Sequence, residues 1–148
     1  MRLQTKYHGE IEWDQDLKWA FENGIPGFPE EKEFIILPLP ENEVFMIMQS
    51  LKSPDIAFVL TSPFSFFTDY EFELDVQTIE SLEIETEEDV QVMVILTVHE
   101  PFSKTTANLQ APIIINIKNN KSKQVVLNDK KYKTKHLLLS ENYEKVKE

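Results

Sequence analysis

Apolar and polar residues alternate along much of this chain with the period of two that marks strands buried on one face. Glu10-Ile11-Glu12-Trp13 and Glu71-Phe72-Glu73-Leu74 show the pattern most strictly, with their acids on the outward face. Short apolar runs at 34–37, 44–48 and 56–60 predict further strands, the last stopped by Thr61-Ser62-Pro63. The run at 92–98 is the longest and is rich in β-branched residues, which predicts a central strand. Ile113, Ile115 and Ile117 share one face, opposite Ile114, Asn116 and Lys118. Asn119-Asn120-Lys121-Ser122 then predicts a hairpin turn into Gln124-Val125-Val126-Leu127, because Asn tolerates the left-handed backbone such turns need.

Helical signals are few. Asp75 is placed to cap a short helix over 76–82, with Val76, Ile79 and Leu82 or Glu83 about one turn apart. Thr86-Glu87-Glu88-Asp89 resembles a capping box with Asp in place of the usual Glu. The 63–70 segment reads as a helical turn. Many short strands with few helices predict a mainly β chain, an antiparallel barrel or sandwich with one or two short helices. No repeat and no interdomain linker is visible, and the polar stretch 140–148 reads as a flexible tail.

Composition narrows the class. A chain of 148 residues fits one domain, which buries roughly 68–70% of its unfolded surface. An apolar fraction of 41% with ten Phe is that of a folded protein despite the net charge of −11. There is no cysteine, which excludes disulfides, thiolate metal sites and a cysteine nucleophile, and suits a reducing compartment. The start of the chain has no signal-peptide pattern, and no apolar run reaches the ~18 residues of a spanning helix. A soluble cytoplasmic protein is the expectation.

Charge is strongly polarised. Residues 1–100 hold 22 acids and 5 bases, a balance of −17, whereas residues 101–148 hold 4 acids and 10 bases. Between Lys52 and Lys104 there is no lysine or arginine. Such a surface repels nucleic acid and anionic lipid and attracts basic proteins. Lys118, Lys121, Lys123, Lys130, Lys131, Lys133 and Lys135 form a basic end. With Tyr132 as its sole aromatic platform and an opposing overall field, it reads as solvated surface or as a contact to an acidic segment, not as a nucleic-acid site.

Motifs for catalysis are missing. His8, His99 and His136 stand far apart without metal-ligand spacing. Glu10/Glu12, Glu71/Glu73 and Glu83/Glu85 could set two carboxylates on one strand face, as a metal or a glycosidase requires, but a solvated outer face accounts for them more simply. Gly9, Gly24 and Gly27 cannot build a phosphate loop or a Gly-x-Ser-x-Gly elbow. No catalysis, cofactor or metal is expected. Two local features suit protein contacts. Gly24-Ile25-Pro26-Gly27-Phe28 is a stiff turn, with Phe28 and Phe21 anchoring it to the core. Pro63-Phe64-Ser65-Phe66-Phe67 gathers three aromatics, either closing one end of the core or offering an exposed anchor to a partner. The interface candidates are Phe64, Phe66 and Phe67, the outer-face acids Glu71, Glu73, Glu83 and Glu85, and Ile25 and Phe28 in the turn.

These segments, taken in order, also carry a family resemblance. Thr5-Lys6-Tyr7-His8-Gly9-Glu10 is followed by the 24–28 turn, Leu37-Pro38-Leu39, Gln49-Ser50 and Ala57-Phe58-Val59. Then come Pro63 to Phe67 and Asp69-Tyr70-Glu71-Phe72-Glu73-Leu74. Thr106-Ala107-Asn108-Leu109-Gln110-Ala111-Pro112-Ile113 with Asn116 is the strongest piece. Lys123-Gln124-Val125-Val126-Leu127 and Tyr132-Lys133-Thr134-Lys135-His136 complete the series. Over residues 2–138 the chain resembles FliW, the bacterial flagellar assembly factor. Ser62, where the family tends to have Asn, and Leu137, where it tends to have Pro, are departures at turns.

The resemblance implies a compact antiparallel β-barrel-like domain over 1–139 and a non-enzymatic regulator with a chaperone-like role. It implies two cytoplasmic partners, flagellin before export and CsrA, a small RNA-binding repressor of flagellin translation. Antagonism of CsrA away from its RNA-contacting surface would be allosteric. A protein this acidic would be steered towards a basic RNA-binding partner, and would oppose RNA within about 8 Å at physiological salt. A barrel holding a small ligand is the alternative expectation.

Overall fold

The computed structural model describes residues 2–14, 18–39 and 42–139, so the expected tail over 140–148 lies outside the described residues. Eleven strands are found among them: β1 (Arg2–Gln4), β2 (Glu10–Glu12), β3 (Trp19–Phe21), β4 (Glu33–Leu39), β5 (Asn42–Ser50), β6 (Ala57–Thr61), β7 (Val90–Thr97), β8 (Thr106–Ala107), β9 (Ile113–Asn116), β10 (Lys121–Gln124) and β11 (His136–Leu137). Seven of them close a barrel in the order β7-β6-β5-β4-β3-β10-β9, with β9 pairing back onto β7. Its pairs are antiparallel apart from β3–β10. The expected mainly β barrel is therefore the fold, with one short helix, α1 (Val76–Ser81).

β7 explains why the longest apolar run had to be central. Its Met93 and Ile95 join Trp19, Phe21, Phe34, Met48, Leu60, Ile113 and Ile115 inside the barrel. Its Val92, Val94 and Leu96 point the other way, into a second cluster with Tyr70, Leu109, Leu127, Tyr132 and Leu138. A strand covered on both faces needs a continuous apolar run. The bulky side chains occupy the barrel interior, so the small-ligand alternative gains nothing from it. Burying a Phe such as Phe21 or Phe34 contributes about 1.5–3 kcal/mol.

One edge of β7 serves two partners in turn. Val90 to Met93 pair with β9, and Leu96 and Thr97 pair with β8. The chain changes from one partner to the other through 108–112. There the Asn108 amide donates to the Ile95 carbonyl, and Asn108 Oδ1 accepts from the Ala111 amide at 3.0 Å. The 125–138 segment covers this crossing, with the Lys133 carbonyl accepting from the Leu109 and Gln110 amides.

The β1–β2 hairpin forms a separate two-stranded sheet. Gln49, fully buried, binds it to the barrel. Its Oε1 accepts from the Lys6 amide at 2.9 Å, while Nε2 donates to the carbonyls of Ser50 and Pro54. His8 Nε2 donates to the Pro38 carbonyl at 2.9 Å.

A helix of six residues is too short to stand alone in water. Asp75 Oδ1 accepts from the Thr78 amide at 2.7 Å, as expected of the cap, and hydrogen bonding from Thr78 holds the Asp75 carboxyl below its usual range. The expected apolar face is corrected. Thr78 and Leu82 are buried, whereas Val76 and Ile79 face outward. At the far end Asn116 Nδ2 donates to the Leu82 and Glu83 carbonyls at 2.8 and 3.1 Å, which fixes Glu83 at a φ of 56°. That is the left-handed cap position, strained for a residue other than glycine. Thr86 opens the short 3-10 turn Glu87–Asp89 without a side-chain cap bond.

Three further expectations are revised. Residues 71–74 keep the alternation of exposed and half-buried side chains but pair with no strand. Ile113, Ile114 and Ile115 are all buried, and Ile117 lies beyond β9 in solvent. In the 24–28 turn Ile25 is the core anchor at 3% exposure, and Phe28 is 41% exposed with its ring edge-on to Phe58.

Candidate protein-binding groove

The outer cluster leaves a groove of about 680 Å³ on its surface. Phe64, Tyr70, Phe72 and Leu74 line one side of it, and Ile79, Ile84, Val90 and Val92 contribute the rest of its apolar lining. Thr86 and four carboxylate residues, Glu71, Glu73, Glu85 and Glu87, complete it, and all four carboxylates are exposed. None of the ion pairs among the described residues involves them. Their charge is therefore available to a partner.

The 70–74 side of the groove is held by phenols instead of by a strand ladder. Tyr70 Oη donates to the Leu109 carbonyl at 2.7 Å. Burial, with Tyr132 beside it, raises the Tyr70 phenol well above its usual range, so it stays a donor. Tyr132 Oη accepts from the Glu71 amide and donates to the Glu71 carbonyl, both at 3.1 Å. The two rings meet edge to face at 4.7 Å. Tyr132 is itself placed by the 129–136 loop, where the Lys133 amide donates to His136 Nε2 at 2.7 Å. His136 meets the edge of Phe67. Burial first, and Lys133 second, hold its imidazole below the ordinary value of 6.5.

The interface candidates divide accordingly. Phe64, Glu71, Glu73 and Glu85 come together at the groove, where Phe64 is 47% exposed. Phe66 and Phe67 are half-buried and pack into the outer cluster, Phe66 stacked on Phe45 at 6.0 Å. The Pro63 to Phe67 segment thus both anchors and exposes, and it closes the outer cluster, not the barrel interior. Glu83 does not join the groove, because its carboxylate is ion-paired with Lys121. Ile25 and Phe28 lie outside the groove lining as well, and burial withdraws Ile25 from any partner. Sequence reasoning missed Ile79, Ile84 and Glu87 as lining residues. Ile79 carried a signal only as part of the one-turn spacing of the capped helix.

A second, apolar depression of about 490 Å³ lies among Tyr7, Phe45, Ile47, Val59, Leu96, Val98 and Phe102. No group of His, Asp or Glu placed to hold a metal occurs among the described residues.

Comparison with known proteins matches this architecture. The family model described as FliW protein covers residues 2–138. The chain belongs to the FliW family of flagellar assembly factors. It is 54% identical over 125 residues to the flagellar assembly factors FliW of Bacillus licheniformis and Bacillus subtilis, covering 84% of this chain and 87% of each relative. The FliW of a Geobacillus species is 55% identical over a similar span. A crystal structure of the flagellar assembly factor FliW superposes with a TM-score of 0.91 at 51% identity, over 95% of this chain and 99% of that one. No helix among the described residues is long and apolar enough to cross a membrane.

Proposed function

We propose that this FliW-family protein is a non-enzymatic cytoplasmic partner switch that binds flagellin and CsrA, and that its acid-lined groove meets the basic partner, CsrA. The observation that carries the reading is the groove itself. It combines an exposed aromatic, Phe64, with an apolar lining and four carboxylates outside any described ion pair. Apolar anchors supply affinity, and charges of one sign speed encounter with a partner of the opposite sign. The same carboxylates oppose RNA approaching the bound partner, without occupying its RNA site, over about 8 Å at physiological salt. Nucleic acid and membrane are not partners in this reading.

Two experiments test it. The protein should co-elute with flagellin and with CsrA of its own organism, and binding to neither would sink the assignment. The triple variant Glu71→Gln, Glu73→Gln, Glu85→Gln should weaken relief of CsrA repression more at low salt than at high salt. Glu83→Gln serves as the control, because that carboxylate is occupied by Lys121. Equal behaviour of the triple variant and the control at both salts would remove the groove carboxylates from the mechanism.

A further inference from the structure

The 70–74 side of the groove has an unused hydrogen-bonding edge. Among the described residues, Phe72, Glu73 and Leu74 form no backbone hydrogen bond, and neither does Glu85 elsewhere in the groove. Unpaired backbone along an extended segment is a template for another strand. The alternating exposure of 71–74 is the extended period. In an extended chain, the N–H and C=O of successive residues point to opposite edges. Glu71 spends both groups on Tyr132. The groups of Phe72 and Leu74 therefore point to the opposite edge, away from Tyr132. Three residues suffice for a strand here, since β1, β2 and β3 have that length.

From this arrangement we infer that the groove takes its partner by strand addition: an extended segment of the basic partner, alternating cationic and apolar residues, pairs with Phe72 and Leu74. Main-chain bonds supply affinity in this mode, and alternate side chains supply specificity. The apolar side chains of such a segment would lie against Phe64, Ile79, Ile84 and Val90, and the cationic ones against Glu71, Glu73, Glu85 and Glu87. A helical segment satisfies its own backbone and would leave the edge unpaired. Nucleic acid is repelled by the same four carboxylates. The inference rests on the reading of this groove as the partner-binding face and adds the mode of binding.

The test uses the whole protein and three synthetic peptides of equal charge. The first alternates Lys and Val, the second is the same sequence N-methylated to remove its donors, and the third rearranges the composition to the spacing of an amphipathic helix. The alternating peptide should bind and should slow amide exchange at Phe72 and Leu74 while leaving Glu73 unchanged. The Glu71→Gln, Glu73→Gln, Glu85→Gln variant, altered only at exposed positions, should bind it roughly tenfold more weakly at low salt. The N-methylated and helix-spaced peptides should bind at least roughly tenfold more weakly than the first. Strand addition is overturned if the alternating peptide does not bind, if the N-methylated form binds equally well, or if exchange at Phe72 and Leu74 is unaffected. Co-elution of CsrA or flagellin alongside failure of the peptides would refute the binding mode alone. Success of the peptides without co-elution would refute only the partner assignment.

Discussion

Tyr132→Phe is the most informative single change, because it removes one oxygen and little else. The ring remains, with its edge contact to Tyr70 at 4.7 Å. Two bonds of 3.1 Å disappear, one from the Glu71 amide and one to the Glu71 carbonyl. A protein hydrogen bond contributes about 0.5–1.5 kcal/mol net. Glu71 is exposed, so water replaces part of the loss, and the pair is worth about 1–1.5 kcal/mol. For a domain of this length that lowers Tm by roughly 3–5 °C. Urea unfolding should show the lower midpoint with an unchanged slope, since the surface exposed on unfolding is the same. Hydrogen exchange at the Glu71 amide should accelerate, while the Leu109 and Gln110 amides, bonded to the Lys133 carbonyl, keep their protection. An unaltered midpoint together with wild-type exchange at Glu71 would refute the claim that a phenol stands in for a strand neighbour.

Other elements give separate tests. Asn116→Leu removes the donors to the Leu82 and Glu83 carbonyls in a buried setting and should cost about 2–3 kcal/mol by chemical denaturation, with α1 losing exchange protection first. Gln49→Leu leaves the Lys6 amide and the Ser50 and Pro54 carbonyls without their side-chain partner. It should cost about 2–4 kcal/mol and expose the Lys6 amide to fast exchange. His136 titrates below its ordinary 6.5 in the folded chain, so the unfolded chain binds that proton more readily. Its contribution to stability is complete above about 6.5, falls as pH drops below that value, and levels off below the folded pKa. His136→Gln should flatten this part of the stability–pH curve, and an identical slope in both proteins would contradict the proton-free Nε2 that accepts from Lys133.

The barrel was legible in the sequence wherever burial on one or both faces imposed a period. β2, β4, β5, β6, β7 and β9 fall on the runs that predict them, and Asp75 caps the helix it marks. Closure was not legible. It depends on β9 pairing back onto β7, a register between sequence-distant strands that no local pattern encodes. The alternation at 71–74 persists in side-chain exposure, but the strand it predicts does not pair, because side-chain period reports faces and says nothing about ladder neighbours. At the candidate site, Phe64, Glu71, Glu73 and Glu85 could be picked by residue type, and Glu83 could not be separated from them. Its neutralising partner, Lys121, lies across a tertiary contact that no local pattern encodes.

The polarised charge takes on a sharper meaning in three dimensions. The basic end does not simply balance the acidic stretch. Tyr132 stands among Lys130, Lys131, Lys133 and Lys135, and its hydroxyl holds Glu71. The lysines that form ion pairs in this part of the chain meet other acids: Lys118 meets Asp89, Lys121 meets Glu83, and Lys131 meets Asp129. The basic segment thus positions the acidic groove while leaving the four groove carboxylates outside the described ion pairs. If exposed lysines had quenched those carboxylates, charge could not select a basic partner at the groove, and each surface pair would still add less than about 1 kcal/mol to stability. The arrangement gives up little in folding energy and keeps a one-signed field beside an unpaired backbone edge. A Lys introduced at position 73 should therefore leave Tm within a few degrees and abolish the low-salt gain in partner binding. Persistence of that gain in Glu73→Lys would show that the field around the groove is not what draws the partner.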